Sequence, residues 1–116
     1  MKNNIEIYEL RKLNHWKLLL AIMADWGLII LCLVTVGITQ SFYFYIPAIF
    51  IIGNRQHALA LLAHDGAHHL TLSSRFWGDL LSGVLFFWPI GLSVRGWRKF
   101  HFDHHKYTGT FKDPEL

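Results

Sequence analysis

Residues 54–69 read NRQHALALLAHDGAHH, and residues 101–105 read HFDHH. The first stretch decides the fold, because an apolar helical lead-in runs without a break into three histidines. His64 and His68 are four residues apart, so a helix puts them on one face. His57, seven residues before His64, falls on that face two turns deeper. In the second cluster His101, His104 and His105 stand at i, i+3 and i+4, again on one face. Of the 8 histidines in the chain, only His15 and His57 lie outside the two clusters.

Working back from residue 54, the apolar run begins at Phe42. As one helix over residues 42–69 it would be roughly 42 Å long at 1.5 Å per residue, whereas a hydrocarbon core is about 30 Å thick. Its last two turns, which carry His64, His68 and His69, are expected to stand out of a bilayer. Before it, residues 18–38 form a first apolar run with one charge, Asp25, long enough to span. The link Thr39-Gln40-Ser41 is short and uncharged, as a hairpin turn requires. Residues 1–17 are polar, with Ile5, Tyr8, Leu13 and Trp16 placed for one stripe of a surface helix; a frayed terminus fits them equally well. After the first cluster, residues 76–94 contain a third apolar run broken by Gly83, Pro89 and Gly91. At residues 80–94 it is about five residues short of a span, so a re-entrant or interfacial helix is expected. Residues 95–116 carry the second cluster and a tail. The whole is read as one partial domain of an all-α membrane protein: a transmembrane hairpin, the re-entrant or interfacial helix, and a cytosolic histidine-bearing helix.

Composition agrees with a membrane class. The 116 residues are 53% hydrophobic and only 16% charged, with mean hydropathy +0.28; soluble domains are nearer about 25% charged. The formal charge of +3 does not indicate nucleic acid, because the basic residues flank apolar runs instead of forming a polar basic face. Lys2, Arg11, Lys12 and Lys17 precede the first run, and Arg75, Arg95, Arg98, Lys99, Lys106 and Lys112 follow the first cluster, while the hairpin link has none. The positive-inside rule puts both termini and both clusters in the cytoplasm. The single cysteine, Cys32, lies within an apolar run and reads as a buried thiol.

Two charges inside the hairpin call for partners. Asp25 and Arg55 fall at matching depth in antiparallel helices, and an ionised group at mid-helix costs about 2.5–3.5 kcal/mol on insertion scales. An Asp25–Arg55 pair is expected, or a contact of Asp25 with His57. In a second reading, Asp25 sits at the interface and the span begins at Trp26.

Histidines at these spacings can converge on a metal. Five or more imidazoles exceed the need of one four-coordinate zinc, and imidazole ligation suits iron or copper as well. For His15 a plain surface or core role is the better reading. For His57 the two readings balance. For the clustered histidines two motifs in one short stretch favour metal.

HDGAHH, its lead-in NRQHALALLAHDGAHH, and RKFHFDHHKYTGTFKDPEL resemble the first two histidine boxes of the membrane fatty-acid desaturases and their lipid- and carotenoid-hydroxylating relatives. The resemblance runs from about Asn54 to Leu116. It implies two irons in a cytoplasm-facing cap, with dioxygen as co-substrate and hydrogens removed from an acyl chain of a membrane lipid. By position His64 and His68 match the first box, and His101, His104 and His105 the second. His69 and His57 are possible further ligands. Asp65 and Asp103 are candidates to accept a ring N–H and orient a ligand. Electrons would come from ferredoxin or a small haem protein, for which Arg95, Arg98 and Lys99 form a candidate basic patch; a positive-inside anchor explains that patch equally well. Members of the family carry a third HxxHH box and further helices, so the chain is expected to be an amino-terminal portion or truncated product that does not hold two irons by itself. A hydroxylase or ketolase of the same superfamily, and a non-catalytic zinc- or haem-binding membrane protein, are the alternatives.

Overall fold

The protein, seen as a computed structural model, is described over residues 13–116. Of the expected amino-terminal stripe, Ile5 and Tyr8 lie outside the described residues. Helix α1 spans His15–Thr39. Asn14 caps it, its side chain accepting from the Lys17 N–H at 3.1 Å. The helix stops at Gln40, which takes a left-handed conformation and returns its N–H to the Val36 carbonyl. Ser41 then leads into α2, Phe42–Ala67. With 25 and 26 residues, these helices are about 38 and 39 Å long at 1.5 Å per residue. Both are long and apolar enough to cross a membrane. Large apolar side chains such as Leu20, Met23, Ile30, Ile49 and Phe50 remain exposed along them.

The hairpin is held by charge as well as packing. Arg55 Nη1 donates to Asp25 Oδ1 at 3.0 Å, and Asp25 is only 5% exposed. The expected pair therefore forms, with Asp25 well inside α1 and not at its start.

The third apolar run is not one regular helix. Helix α3, Arg75–Ser82, starts at Ser74, whose hydroxyl caps the Trp77 N–H. It widens into a π-helical turn, Gly83–Phe87, and tightens into a 3₁₀ turn, Trp88–Ile90. Gly91, at φ 76°, ends it, in a left-handed conformation that favours glycine. Ser93 caps the next helix, α4, Val94–Tyr107, by accepting from the Gly96 N–H. The axis turns by 85° between Arg75–Ile90 and Val94–Tyr107. No strand occurs among the described residues; the fold is all-α.

The core sits where α2 meets the π turn. Leu59, Ala63 and Ala67 of α2 pack with Phe86, Phe87, Ile29 and Val94. Two polar contacts pin these turns to the hairpin: Trp26 Nε1 donates to the Leu85 carbonyl of the π turn at 3.2 Å, and Gln56 Nε2 to the Pro89 carbonyl of the 3₁₀ turn at 3.4 Å. At Gly66 the backbones come close. A Cβ there would stand 2.7 Å from Ser82 Cβ, so glycine is what lets α3 lie against the end of α2.

A candidate metal centre of four histidines

His64 lies in the last turn of α2 and His68 caps the helix. The chain then leaves through His69, which adopts φ 58°. Residues between the clusters run out and back, and α4 returns the second cluster to the same end of α2. His68 Nε2 and His101 Nε2 are 3.0 Å apart, and His105 Nε2 and His101 Nε2 2.9 Å. His64 joins them, its ring centroid 4.7 Å from that of His101. One ligand atom from each of His64, His68, His101 and His105 lies within 4.8 Å of every other.

This donor set fits a metal ion. One imidazole nitrogen offers either one N–H or one lone pair, so His101 Nε2 cannot complete hydrogen bonds to both neighbours. A cation can orient all three nitrogens together. The ligand atoms, all within 4.8 Å of one another, are close enough for an ion with metal–nitrogen bonds of about 2.1 Å to reach several of them. Burial lowers the pKa of both His68 and His101, and neighbouring imidazoles lower them further. The neutral rings that result are the form that ligates metal.

An apolar wall backs the cluster. The Trp97 indole stacks on His101 at 4.4 Å between centroids and 15° between planes, and Phe87 packs on Trp97 at 5.7 Å. His101 is buried, while His105 remains exposed.

The other candidate residues are placed differently. His104 turns its Nδ1 to Asp113 Oδ1 at 2.8 Å and is outside the group of four. This contact raises the His104 pKa. The Asp113 carboxyl is held below its ordinary range, first by the Glu115 N–H and then by His104. An imidazole whose Nδ1–H is fixed by a carboxylate keeps Nε2 for a metal. His57 is exposed on α2 and apart from the cluster. His69 Nδ1 faces Asp79 Oδ1 at 3.4 Å instead. Asp65 is exposed, and its Oδ1 stands 3.6 Å from His64 Nδ1, too far for a hydrogen bond. Asp103 makes no side-chain hydrogen bond among the described residues. Asp113 is thus the carboxylate that meets a ring N–H, and sequence reading missed it. Two tight turns at the end of α4, Thr110 N–H to Tyr107 and Asp113 N–H to Thr110, bring it back from nine residues downstream.

Arg98 also departs from expectation. It is not free to receive an electron donor: its side chain is 17% exposed and its guanidinium is engaged by Asp79 and by the end of α2. Arg95 and Lys99 remain exposed.

Four histidines gathered at one end of a hairpin of two helices long and apolar enough to cross a membrane define the class: a membrane-type protein with a candidate metal site. The chain matches the family described as Fatty acid desaturase over residues 40–116, more than half its length, and it belongs to that family. It is 29% identical over 108 residues, 92% of the chain, to a Picosynechococcus sn-1 oleoyl-lipid 12-desaturase. It is 33% identical over 98 residues, 82% of the chain, to the Bradyrhizobium elkanii dihydrorhizobitoxine desaturase. It is 32% identical over 69 residues, 60% of the chain, to the Caenorhabditis elegans Delta(5) fatty acid desaturase fat-4. The chain spans 29%, 27% and 15% of the lengths of these three relatives. No solved structure matches it.

Proposed function

We propose that the chain supplies the first two histidine boxes of a membrane desaturase that binds two irons and acts on a lipid acyl chain. The observation that carries this reading is the convergence of His64, His68, His101 and His105 from both boxes. His104 would be a fifth ligand, through the Nε2 that its contact with Asp113 leaves free. Iron held by these residues supplies the dioxygen activation that side-chain acids and bases cannot provide for an unactivated C–H bond. Overall, two hydrogens would leave the acyl chain and dioxygen would become two waters, with two electrons passed singly from a donor such as ferredoxin or a small haem protein and two protons from solvent.

The chain's own groups have distinct tasks. Neutral imidazoles bind metal without adding negative charge. Trp97 and Phe87 keep water from one side of His101. Asp113 holds the Nδ1 proton of His104. The exposed apolar faces of α1 and α2 lie in the bilayer from which an acyl chain arrives. The distribution of lysine and arginine supports placing both boxes and both termini on the cytoplasmic side.

Metal analysis with Mössbauer spectroscopy of the chain, purified from iron-supplemented cells, tests the reading. Histidine-bound iron that is lost in His68→Ala and His101→Ala is expected. Zinc in its place, or iron unaffected by both substitutions, overturns it.

A further inference from the structure

We propose that Arg98 is a positioning residue that sets the separation of the two histidine clusters, with Asp79 holding its guanidinium in place. The proposal rests on the metal-centre reading above for its consequence, though not for its geometry. Arg98 lies in α4, one turn before His101. Its Nε donates to the Ala67 carbonyl at 2.8 Å and its Nη2 to the Gly66 carbonyl at 3.1 Å. The next residue after Ala67 is His68. One side chain therefore joins the backbone beside a ligand of the first cluster to the turn beneath a ligand of the second.

The acceptors are of the kind an arginine satisfies best. The last carbonyls of a helix lack intrahelical partners, and the C-terminal end of the helix dipole attracts a cation. Opposite them, Asp79 of α3 takes two of the three remaining donors in a two-pronged contact, Nη1 to Oδ2 at 3.0 Å and Nη2 to Oδ1 at 2.6 Å. The planar guanidinium thus spans α2, α3 and α4 with its donors in fixed directions. A lysine ammonium offers a compact charge on a flexible stem and no such fork. The same Asp79 Oδ1 stands 3.4 Å from His69 Nδ1.

The test uses the full chain in detergent, with Arg98→Lys, Arg98→Ala and Asp79→Asn. Spin labels at exposed Ser73 and Lys106, in a Cys32→Ser background, report the separation of the clusters without metal. Cobalt(II) absorption reports the number and geometry of the imidazole ligands. A narrow label distance in the parent should broaden in both Arg98 variants, with helix content by circular dichroism unchanged. Cobalt affinity should fall, by no more than the roughly 10–100-fold that loss of a group bonded directly to a ligand costs, with a shifted band in Arg98→Lys. Asp79→Asn, which leaves both carbonyl contacts, should lie between the parent and Arg98→Ala. Distances and spectra in Arg98→Lys and Asp79→Asn that match the parent overturn the proposal, even where Arg98→Ala fails to fold. A parent that binds no cobalt overturns the metal-centre reading, and the label distances still decide the role of Arg98.

Discussion

Asp25 and Arg55 meet at 3.0 Å across the hairpin, thirty positions apart in the chain. Neither charge belongs in an apolar helix alone. Asp25→Ala leaves the guanidinium without its carboxylate, and the loss should approach the cost of about 2.5–3.5 kcal/mol for a mid-helix charge. The double variant Asp25→Ala/Arg55→Ala should lose less than the sum of the single variants, as coupled neighbours do. Unfolding in mixed detergent measures all three. Strictly additive losses would mean that the contact contributes nothing to the hairpin.

Gly66 and Gly53 offer an internal contrast on one helix. A Cβ at Gly66 would press on Ser82, while one at Gly53 meets nothing within 4 Å. Gly66→Ala should destabilise by about 1–3 kcal/mol, the usual cost of overpacking, and weaken metal binding by moving α3. Gly53→Ala should be neutral or stabilise by about 0.5–1 kcal/mol through helix propensity. Thermal unfolding of the two variants side by side checks the order, and a reversed order would remove Gly66 as the point of close approach.

His104 and Asp113 make a titration prediction. The carboxylate favours protonated His104, so its pKa is raised. Asp113→Asn keeps the shape and removes the charge, and the His104 pKa should fall back towards the ordinary histidine value. Two-dimensional NMR of ring-labelled histidine follows this directly. An unmoved titration would show that Asp113 is not the cause.

His68 and His101 shift the other way, downwards, chiefly through burial. A lowered pKa means that the neutral form persists to lower pH. By two-dimensional NMR of ring-labelled histidine, His68 and His101 should therefore titrate below the ordinary histidine value of about 6.5. Titration at or above that value would mean that burial does not keep these rings neutral in the fold.

Much of the arrangement was legible in the chain itself, where periodicity governs. Helical spacing placed His64 with His68 and His101 with His105, and charge depth paired Asp25 with Arg55. Periodicity also misled. His57 shares the helical face of His64, but seven residues is about 10.5 Å along the axis, beyond the reach of an imidazole at the helix end. His104, at i+3, falls on the other flank of α4 and meets Asp113. The roles of Arg98 and Trp97 depend on the path between the clusters, and that of Asp113 on the turns that follow α4. That path includes a π turn at Gly83–Phe87 and an 85° change of axis; Pro89 and Gly91 mark the break, but they set neither the π turn nor the angle. A basic side chain near an apolar run reads as a membrane anchor until the folded chain supplies carbonyls for it.

His68 and His101 are 33 residues apart in sequence, so a metal joining them closes a loop. In a flexible chain, closing a loop of that length costs about 3 kcal/mol of entropy. Arg98 and Ala67, 31 residues apart, already close nearly the same loop before any ion arrives. The entropic cost thus falls on folding and not on metal binding. An incoming ion would have only side-chain rotamers left to fix, and its affinity would report imidazole chemistry instead of chain closure.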